Sequence, residues 1–440
     1  MVALEPQAEV YARRRERLMA KLGDGLLILW TAPQTLRNGD VYHEFRPGSD
    51  FAYLTGFPEP EAALAVQRRR GELQTWLFVL PRDPEREIWD GKRFGTQGAK
   101  RRFGVDAAYP IQELWKQLAT LLPGEQRVFH ALGRDPERDA QLLRACHRTA
   151  LSARRSNPAA HPAFEDPTPV LADLRAIKDA AEIDALTRAA EISVAGHVAA
   201  MRAARPGAVE YEVQAELERE FRRGGSPRNG YPSIVASGPN ACILHYHEND
   251  RKMRGGDLLL LDAGAEFGGY TADITRTYPV SGAFTPPQAA VYRAVLKAQK
   301  AAIRAAKPGA SCEAPHRASQ RALTRALINL GVLRGKPQAL LREAAFRPWF
   351  MHGTSHWLGR DVHDVGAYRQ AGKPVKLAAG MVLTVEPGLY FDVRDTRVPK
   401  ELRGIGVRIE DDVLVTRSGP RVLTEAAPKE LRDVERACAY

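Results

Sequence analysis

Short runs of consecutive apolar residues alternate along this chain with longer segments in which apolar residues recur every three or four positions. In the first third of the chain, the runs at 25–30 and 76–80 have turn signals on both sides, as buried strands do. Helical spacing is present at 8–21 and at 111–122. Strands that alternate with helices predict an α/β fold for this part of the chain.

From residue 178 onwards, one pattern occurs twice. An amphipathic helix, a Pro-Gly-Ala turn and a second helix are followed by an apolar strand, a turn and another strand. The two Pro-Gly-Ala turns begin at Pro206 and Pro308, 102 residues apart. A unit that recurs in this way predicts two related halves that close on a shared centre.

A boundary between domains is predicted at residues 156–169, which contain four prolines and no apolar period. The 440 residues also exceed what one hydrophobic core usually serves. We therefore expect an N-terminal α/β domain at 1–169, ending in a proline-rich linker, and a second domain at 170–440.

The composition narrows the classes of function. The formal net charge is +11 and the sequence pI is about 9.5, which is compatible with a nucleic-acid partner. However, the basic residues are scattered, and no glycine-rich phosphate loop follows a strand in the N-terminal half. We therefore expect no nucleic-acid partner.

Cysteines and apolar runs bear on the compartment. The four cysteines are far apart and form no CxxC pair, so neither a zinc knuckle nor a disulfide framework is predicted. The first residues include Glu5 and Glu9 and lack the apolar core of a signal peptide, and no apolar run approaches the ~20 residues of a membrane span. These features predict a soluble, cytoplasmic chain with no membrane partner.

Two carboxylates stand on an apolar hairpin. Asp262 follows four leucines, Asp273 comes later, and their midpoint falls at 267–268. A hairpin that turns there would put both aspartates on one side of the ribbon. Like charges in an apolar setting repel and lose hydration, so a divalent cation between them is the simplest arrangement. Two exposed aspartates near a loop are the alternative.

A second pair of acidic residues strengthens the prediction of a divalent cation site. Glu386 and Glu410 each follow an apolar run, and their midpoint, Val398, lies in a polar connection. One imidazole with four carboxylates would suit Mn²⁺, Co²⁺ or Zn²⁺, and four carboxylates can bridge two ions. The glycine-rich segment between the two pairs carries His352, His356 and His363.

Four segments carry a resemblance to a known family: LLLLDAGAEFGGYTADITRTYPVSG, MHGTSHWLGRDVHDVG, MVLTVEPGLY and GIGVRIEDD. They resemble the metallopeptidases with the pita-bread fold, and among these the Xaa-Pro aminopeptidase, or aminopeptidase P, family. The likeness extends over roughly residues 170–420 and continues more weakly in RNGDVYHEFRPGSDFAYLTGF. It implies an α/β (α+β) protein in which a smaller creatinase-like α/β domain precedes a pita-bread catalytic domain with a pseudo-two-fold repeat.

The resemblance implies a dinuclear metal centre. Asp273 and Glu410 would bridge two divalent ions, His356 and Glu386 would complete one, and Asp262 would complete the other. Mn²⁺ is the expected metal, with Zn²⁺ or Co²⁺ as alternatives. A metal-bridging hydroxide would then hydrolyse the N-terminal Xaa-Pro bond of a small peptide with proline at its second position, while Glu386 moves a proton.

The same resemblance implies roles for further residues. His247 is interpreted as a bystander, and histidines in a glycine-rich loop are often structural hydrogen bonders. Arg408 is two residues from Glu410, so on one strand it would share that acid's face and hold it by a charge-assisted bond. The implied catalytic residues are His245, His352, His363, Glu386 and Arg408. The implied substrate-binding residues are Asp40, Trp89, Tyr231, His245, His352, His363 and Tyr390.

Self-association is expected from the N-terminal domain. In the family, this domain drives oligomerisation and projects residues toward a neighbouring subunit's site, which implies a homotetramer built as a dimer of dimers. Trp89 stands at a matching position among charged neighbours. The alternative for Trp89 is a core aromatic that closes the end of a strand.

Other functions are weighed against this one. A prolidase, which acts on Xaa-Pro dipeptides, shares the ligands and the two-domain plan, and only the flanks HWLGRDVHDVG and RNGDVYHEF favour aminopeptidase P. Creatinase-like enzymes lack the full metal set, and methionine aminopeptidases usually lack so large an N-terminal domain. A non-catalytic pita-bread module that binds peptides is disfavoured because all five metal ligands are present.

Overall fold

The computed structural model describes residues 8–153 and 161–439, which form two compact units. The first unit extends to Leu174 and the second begins at Arg175. Each has its own hydrophobic core. Within the described ranges, no helix is both long and apolar enough to cross a bilayer.

The first unit is a mixed six-stranded sheet covered by helices. Its helices are α1 (Ala8–Leu22), α2 (Ser49–Thr55), α3 (Pro84–Asp90), α4 (Gly95–Arg102), α5 (Leu114–Leu121), α6 (Pro136–Ala153) and, as far as Leu174, α7 (Thr168–Ala176). Its strands are β1 (Gly25–Trp30), β2 (Leu36–Asn38), β3 (Val41–Tyr42), β4 (Ala63–Arg69), β5 (Glu72–Val79), β6 (Ala107–Pro110), β7 (Arg127–Phe129) and β8 (Ala163–Glu165). The sheet has the order β6-β5-β4-β1-β7-β8, and β2 pairs with β3 in a separate hairpin.

The apolar run of β1 is unbroken because both faces of the sheet are covered. Leu26 and Ile28 pack in the same cluster as residues of α5 and α6, whereas Leu27 and Leu29 pack with residues of α1 and α2. Successive side chains of a strand point to opposite faces. A strand buried on both sides therefore needs apolar residues at every position, as predicted for 25–30.

The predicted linker is wrong for its second half. Residues 163–165 form β8, which pairs in parallel with β7, and Leu174 of α7 packs in the core of the first unit. Pro162 precedes the strand and Pro169 lies in the first turn of α7, positions where the missing proline N–H costs no hydrogen bond. The segment 156–160 lies outside the described residues.

The second unit contains two helix pairs and several small sheets. Its helices are α8 (Ala180–Ala203), α9 (Glu210–Arg223), α10 (Pro286–Ala305), α11 (Ala314–Asn329), α12 (Pro337–Arg342) and α13 (Leu431–Ala437). Its strands are β9 (Arg228–Asn229), β10 (Ile234–Ser237), β11 (Leu258–Asp262), β12 (Ala265–Phe267), β13 (Tyr270–Thr271), β14 (Thr275–Pro279), β15 (Arg369–Gln370), β16 (Lys373–Pro374), β17 (Val382–Val385), β18 (Gly388–Tyr390), β19 (Gly406–Arg408), β20 (Asp411–Thr416) and β21 (Gly419–Val422). Sheets of order β10-β11-β14 and β17-β20-β21 follow the first and the second helix pair along the chain.

Backbone hydrogen bonds confirm the predicted repeat. Gly207 N–H donates to the Met253 carbonyl at 2.9 Å, and Gly309 N–H donates to the Leu377 carbonyl at 2.7 Å. In both halves the acceptor residue donates back, at 2.8 Å, to the alanine that follows the glycine. Glycine is required because φ is +93° at Gly207 and +79° at Gly309.

The second acid-bearing hairpin has the predicted register. Val385 faces Asp411 and Gly388 faces Arg408, so both pairings are centred on Val398. Glu386 and Glu410 therefore lie opposite each other.

The register predicted for the first hairpin is wrong by two residues, because Asp262 faces Thr275 rather than Asp273. The turn lies at Gly268 and Gly269, where φ is +60° and +78°. A shift of two residues keeps side chains on the same face because they alternate with period two. Both aspartates therefore still reach one site.

Candidate metal centre

Two aspartates of the first hairpin meet at a tyrosine hydroxyl. Asp262 ends β11, Asp273 precedes β14, and both are buried. The Tyr231 hydroxyl lies 2.6 Å from Asp262 Oδ1 and makes a shorter contact with Asp273 Oδ1. Tyr231 was assigned to the substrate by resemblance, whereas here its hydroxyl lies between two predicted metal ligands.

Glu386 and Glu410 reach the site from the second hairpin. Glu410 N–H donates to the Thr275 carbonyl at 3.0 Å, and the Thr275 hydroxyl donates to Glu410 Oε2 at 2.6 Å. These bonds join the second hairpin to β14 of the first. Glu386 Oε1 lies 3.7 Å from His356 Nε2.

His356 presents its Nε2 atom to the acids. Its Nδ1 lies 3.1 Å from the Trp357 carbonyl, an acceptor, so the ring proton belongs on Nδ1. Nε2 lies 3.4 Å from Asp273 Oδ2. Although burial opposes the charged ring, the Asp273 carboxylate raises the pKa of His356 to about 9. Nε2 therefore faces the acids and carries the titrating proton, which a metal that binds there would displace.

Three of the five predicted ligands form one close group, since ligand atoms of Asp273, His356 and Glu410 lie within 4.8 Å of one another. Burial raises the pKa of Asp273 and raises that of Glu410 well above its usual range. Burial also raises the pKa of Glu386 to about 7. Ionised forms are thus costly without positive charge among them. An imidazole nitrogen with buried carboxylate oxygens fits a divalent cation of the Mn²⁺, Co²⁺ or Zn²⁺ type.

Arg408 binds Asp262, so the prediction that it holds Glu410 is wrong. Its Nη2 donates to Asp262 Oδ2 at 2.5 Å, and its Nε donates to Thr275 Oγ1 at 3.0 Å. Since β19 ends at Arg408 and β20 begins at Asp411, Glu410 lies in a break where alternation along one strand does not apply. Against the effect of burial, Arg408 lowers the pKa of Asp262.

His352 and Tyr390 continue the hydrogen-bonded chain from Arg408. Arg408 Nη1 donates to the Tyr390 hydroxyl at 3.1 Å, and that hydroxyl lies 2.9 Å from His352 Nε2. His352 Nδ1 lies 2.6 Å from the Gly353 carbonyl, so the ring proton is there and Tyr390 donates to Nε2. Burial, together with Arg408, lowers the pKa of His352 to about 4, so its ring is neutral.

His363 and His245 are the solvent-exposed imidazoles of the predicted set. The ring of His363 stands perpendicular to that of His356, with centroids 4.4 Å apart. Burial, followed by the neighbouring His356, lowers the pKa of His363. His245 follows the 3₁₀ helix Gly238–Cys242 and stacks on His247 at 6.4 Å.

Asp40 and Trp89 lie on the surface of the first unit. Asp40 is exposed beside the β2–β3 turn. Trp89 is 87% exposed on α3, next to Ile88 at 81%. The alternative that Trp89 is a core aromatic is therefore wrong, and side chains this apolar and exposed are typical of interaction surfaces.

Asp412 holds the backbone of Asp273, and this role was not predicted from the sequence. Its Oδ2 accepts the Asp273 N–H at 3.1 Å, and its side chain is buried. Burial raises the pKa of Asp412 well above its usual range. The available signal was the run of three acids, Glu410 to Asp412, at the end of an apolar segment.

A buried ion cluster anchors the loop that carries His363. Asp364 is bonded to Lys178 Nζ at 2.8 Å and to Arg175 Nη2 at 2.5 Å. The side chains of Asp364 and Lys178 are each 1% exposed. Asp364 is 186 residues from Lys178 and 189 residues from Arg175 in sequence, so no local pattern indicates these pairings.

Comparisons with known proteins agree with this geometry. The family model described as metallopeptidase family M24 matches residues 184–417, and that of the aminopeptidase P N-terminal domain matches 11–129. The chain is 42% identical to the Xaa-Pro aminopeptidase of Haemophilus influenzae over 428 residues, which cover 97% of this chain and 96% of the relative.

Solved structures of similar proteins give the same result. The aminopeptidase PepP of Pseudomonas aeruginosa has a TM-score of 0.96 at 45% identity, covering 100% of this chain and 99% of that one. The Zn-substituted aminopeptidase P of Escherichia coli in complex with product has a TM-score of 0.94 at 41% identity, covering 99% and 98%. The predicted fold class is thereby confirmed, a pita-bread domain preceded by a smaller α/β domain. The chain belongs to metallopeptidase family M24, among the Xaa-Pro aminopeptidases.

Proposed function

We propose that the chain is a dinuclear metal-dependent aminopeptidase that hydrolyses the N-terminal Xaa-Pro bond of small peptides. The observation that carries the proposal is the close group of buried Asp273, half-buried His356 and buried Glu410, with Asp262 and Glu386 beside it. The assignment of the Xaa-Pro bond as the one that is cleaved is supported by the name of the Haemophilus influenzae relative, Xaa-Pro aminopeptidase.

Five side chains would hold two divalent cations, with Mn²⁺ as the first choice and Zn²⁺ or Co²⁺ as alternatives. We assign Asp273 and Glu410 to both ions, His356 and Glu386 to one, and Asp262 to the other. When bound, the ions supply an activated water and polarise the scissile carbonyl.

Glu386 moves the proton of the reaction. Its side chain is 18% exposed, whereas Glu410 is 2% exposed, so Glu386 is the more accessible of the two glutamates. His352 Nδ1 lies 3.6 Å from Glu386 Oε2, but its proton is already donated to the Gly353 carbonyl. The imidazole therefore does not compete for the proton that Glu386 carries.

The exposed imidazoles of His363 and His245 contact the substrate and stabilise the charge that develops at the scissile bond. Arg408 keeps Asp262 ionised and connects it through Tyr390 to His352. These contacts orient Asp262 and His352 together.

We also propose a homotetramer, arranged as a dimer of dimers, in which Trp89 and Asp40 of one subunit reach the site of another. The support is that Trp89 and Ile88 are adjacent and both largely exposed, because adjacent exposed apolar side chains are typical of interaction surfaces. Peptides with proline at the second position are the proposed partners.

The proposed activity is tested with purified protein and Mn²⁺, using an Xaa-Pro-Yaa tripeptide, its N-acetylated form and an Xaa-Pro dipeptide. We expect the free tripeptide to lose its first residue and the acetylated one to be hardly cleaved. Rapid hydrolysis of the dipeptide with little action on the tripeptide would establish a prolidase instead. Full activity of chelator-treated protein with no bound dication would overturn the metal mechanism.

A further inference from the structure

His245 stands on an exposed segment that is held at two buried points. Of residues 243–249, Tyr246 and Asn249 are buried, whereas Ile243, His245 and His247 are exposed. An exposed catalytic side chain needs a rigid support, because small displacements from the productive geometry lower the rate. The two buried residues are the candidates for that support.

The first buried point is Tyr246, which is held by a carboxylate that accepts three hydrogen bonds. Glu210 is fully buried at the start of α9 and accepts the Tyr246 hydroxyl at 2.9 Å. It also accepts the backbone N–H groups of Ser237 at 2.6 Å and Arg251 at 2.9 Å. The start of α9 adds favourable helix-dipole charge, so this buried acid is stabilised by hydrogen bonds and the dipole. Tyr246 also lies 3.3 Å from Asp250 Oδ1.

The second buried point is Asn249, which has the left-handed φ of +50°. Its Oδ1 accepts the Val235 N–H at 2.9 Å, and its Nδ2 donates to the Ser233 carbonyl at 2.9 Å. Asparagine tolerates this backbone conformation better than most residues.

Both points attach the segment to the strand next to Asp262. Val235 and Ser237 belong to β10, which pairs with β11 so that Ile234 faces Asp262. The ring of Tyr246 packs in the same cluster as Leu260 of β11. The position of His245 relative to Asp262, a predicted metal ligand, is thus fixed through the sheet that contains β10 and β11.

We infer that Tyr246, held by Glu210, is a positioning residue that sets where His245 stands relative to Asp262. The inference rests on the proposed function, in which His245 contacts the substrate. Tyr246 does not itself touch the reacting atoms, so its effect on catalysis passes through His245.

The test is a double-mutant cycle of Tyr246→Phe and His245→Ala in the Mn²⁺-loaded full chain, with the Xaa-Pro-Yaa tripeptide as substrate. Tyr246→Phe keeps the ring in its cluster and removes one hydroxyl. We expect it to lower kcat by about 10- to 100-fold without loss of bound metal. In the His245→Ala background the same change should alter kcat by less than about twofold, since residues that act as a unit are not additive.

Tyr292→Phe is the matched control. Its hydroxyl is likewise bonded, 2.8 Å from the Lys429 carbonyl, and its side chain is fully buried. We expect this variant to lose similar thermal stability and to keep its kcat. An equal loss of kcat in the control would overturn the inference, because it would trace the effect to general loosening.

Hydrogen exchange of residues 243–249 gives a measurement that does not depend on peptidase activity. We expect exchange there to rise in Tyr246→Phe and in Glu210→Gln but not in Tyr292→Phe. Unchanged exchange, or an equal loss of kcat from Tyr246→Phe with and without His245, would overturn the inference. Failure of the proposed function would be recognised separately, as absence of tripeptide cleavage by the unmodified protein.

Discussion

At the scale of single residues, the site combines acids whose environments push their pKa values in opposite directions. Arg408 overcomes burial and lowers the pKa of Asp262, whereas burial raises the pKa of Asp273 and Glu386. Groups that are costly to ionise together give a cation a large differential affinity for the folded state. Metal, protons and stability are therefore linked in this protein.

The metal-free protein should lose stability as the pH rises. The folded pKa of Glu386 is about 7 against an ordinary value of 4.5, and that of His356 is about 9 against 6.5. Raised folded values give stability that is complete below the unfolded values and is lost as the pH rises through the folded ones. We expect the melting temperature of chelator-treated protein to fall by at least about 3 °C between about pH 5 and about pH 9.

Glu386→Gln is the control for this pH dependence, because it removes one of the titrating groups and keeps the side-chain size. The variant should show a shallower fall near neutral pH. An identical slope in the variant, or a melting temperature that rises over the same range, would contradict the assignment.

Removing a proposed bridging ligand should lower the number of bound metal ions without unfolding the protein. Asp273→Ala and Glu410→Ala each take one proposed shared carboxylate away, so we expect at most one ion per chain by elemental analysis. Asp433→Ala, at a carboxylate that is 52% exposed, should bind as much metal as the parent protein. Two ions in either bridging variant would rule out the shared-ligand arrangement.

At the scale of elements, the distance between the two aspartates depends on a close approach of two backbone segments. Gly264 lies between β11 and β12, and a Cβ added there would be 1.8 Å from the Ala272 carbonyl oxygen. Backbone atoms cannot move aside alone, so the segment that carries Asp273 would have to shift. The hairpin therefore needs glycine at this position for packing.

Gly264→Ala should destabilise the protein by at least about 2 kcal/mol and weaken metal binding, because overpacking would separate Asp273 from Asp262. Calorimetry and metal titration measure the two effects. Gly255→Ala is the matched control, since the nearest atom to its added Cβ is Ser281 Oγ at 3.7 Å. Parent-like stability and affinity in Gly264→Ala would show that the approach is not required.

At the scale of the whole molecule, the first unit carries exposed apolar side chains that metal chemistry does not require. Trp89 and Ile88 lie side by side on α3 and are 87% and 81% exposed. Exposed tryptophan is enriched at protein interfaces, where it contributes a large share of the binding energy. This surface supports the proposal that neighbouring subunits meet there.

Trp89→Ala should keep folding and metal content and change the preference among peptides of different length, because the indole is proposed to narrow a neighbouring subunit's entrance. Light scattering and kinetics on a series of Xaa-Pro peptides measure this. A change of the exposed Arg86 to Ala on the same helix serves as the control. A monomer at micromolar concentration, with the same length preference in Trp89→Ala as in the parent, would remove the idea.

The hydrophobic pattern and the placement of carboxylates were enough to predict the two-part chain, the internal repeat and the facing of Glu386 and Glu410. The facing of Glu386 and Glu410 follows from residue spacing within one hairpin, and the repeat follows from the recurrence of the same short patterns further along the chain, so both can be recognised in the sequence. The sequence motifs also predicted the family, which the comparisons confirm.

Only the tertiary structure decided which residues hold the ligands. Arg408 pairs with Asp262 across 146 residues of sequence, and Asp364 pairs with Lys178 across 186. The Tyr231 hydroxyl reaches two acids at once, and the first hairpin is shifted by two residues from the symmetric register. Such contacts arise from the packing of distant segments and from breaks in strands, so no periodicity within one segment can specify them.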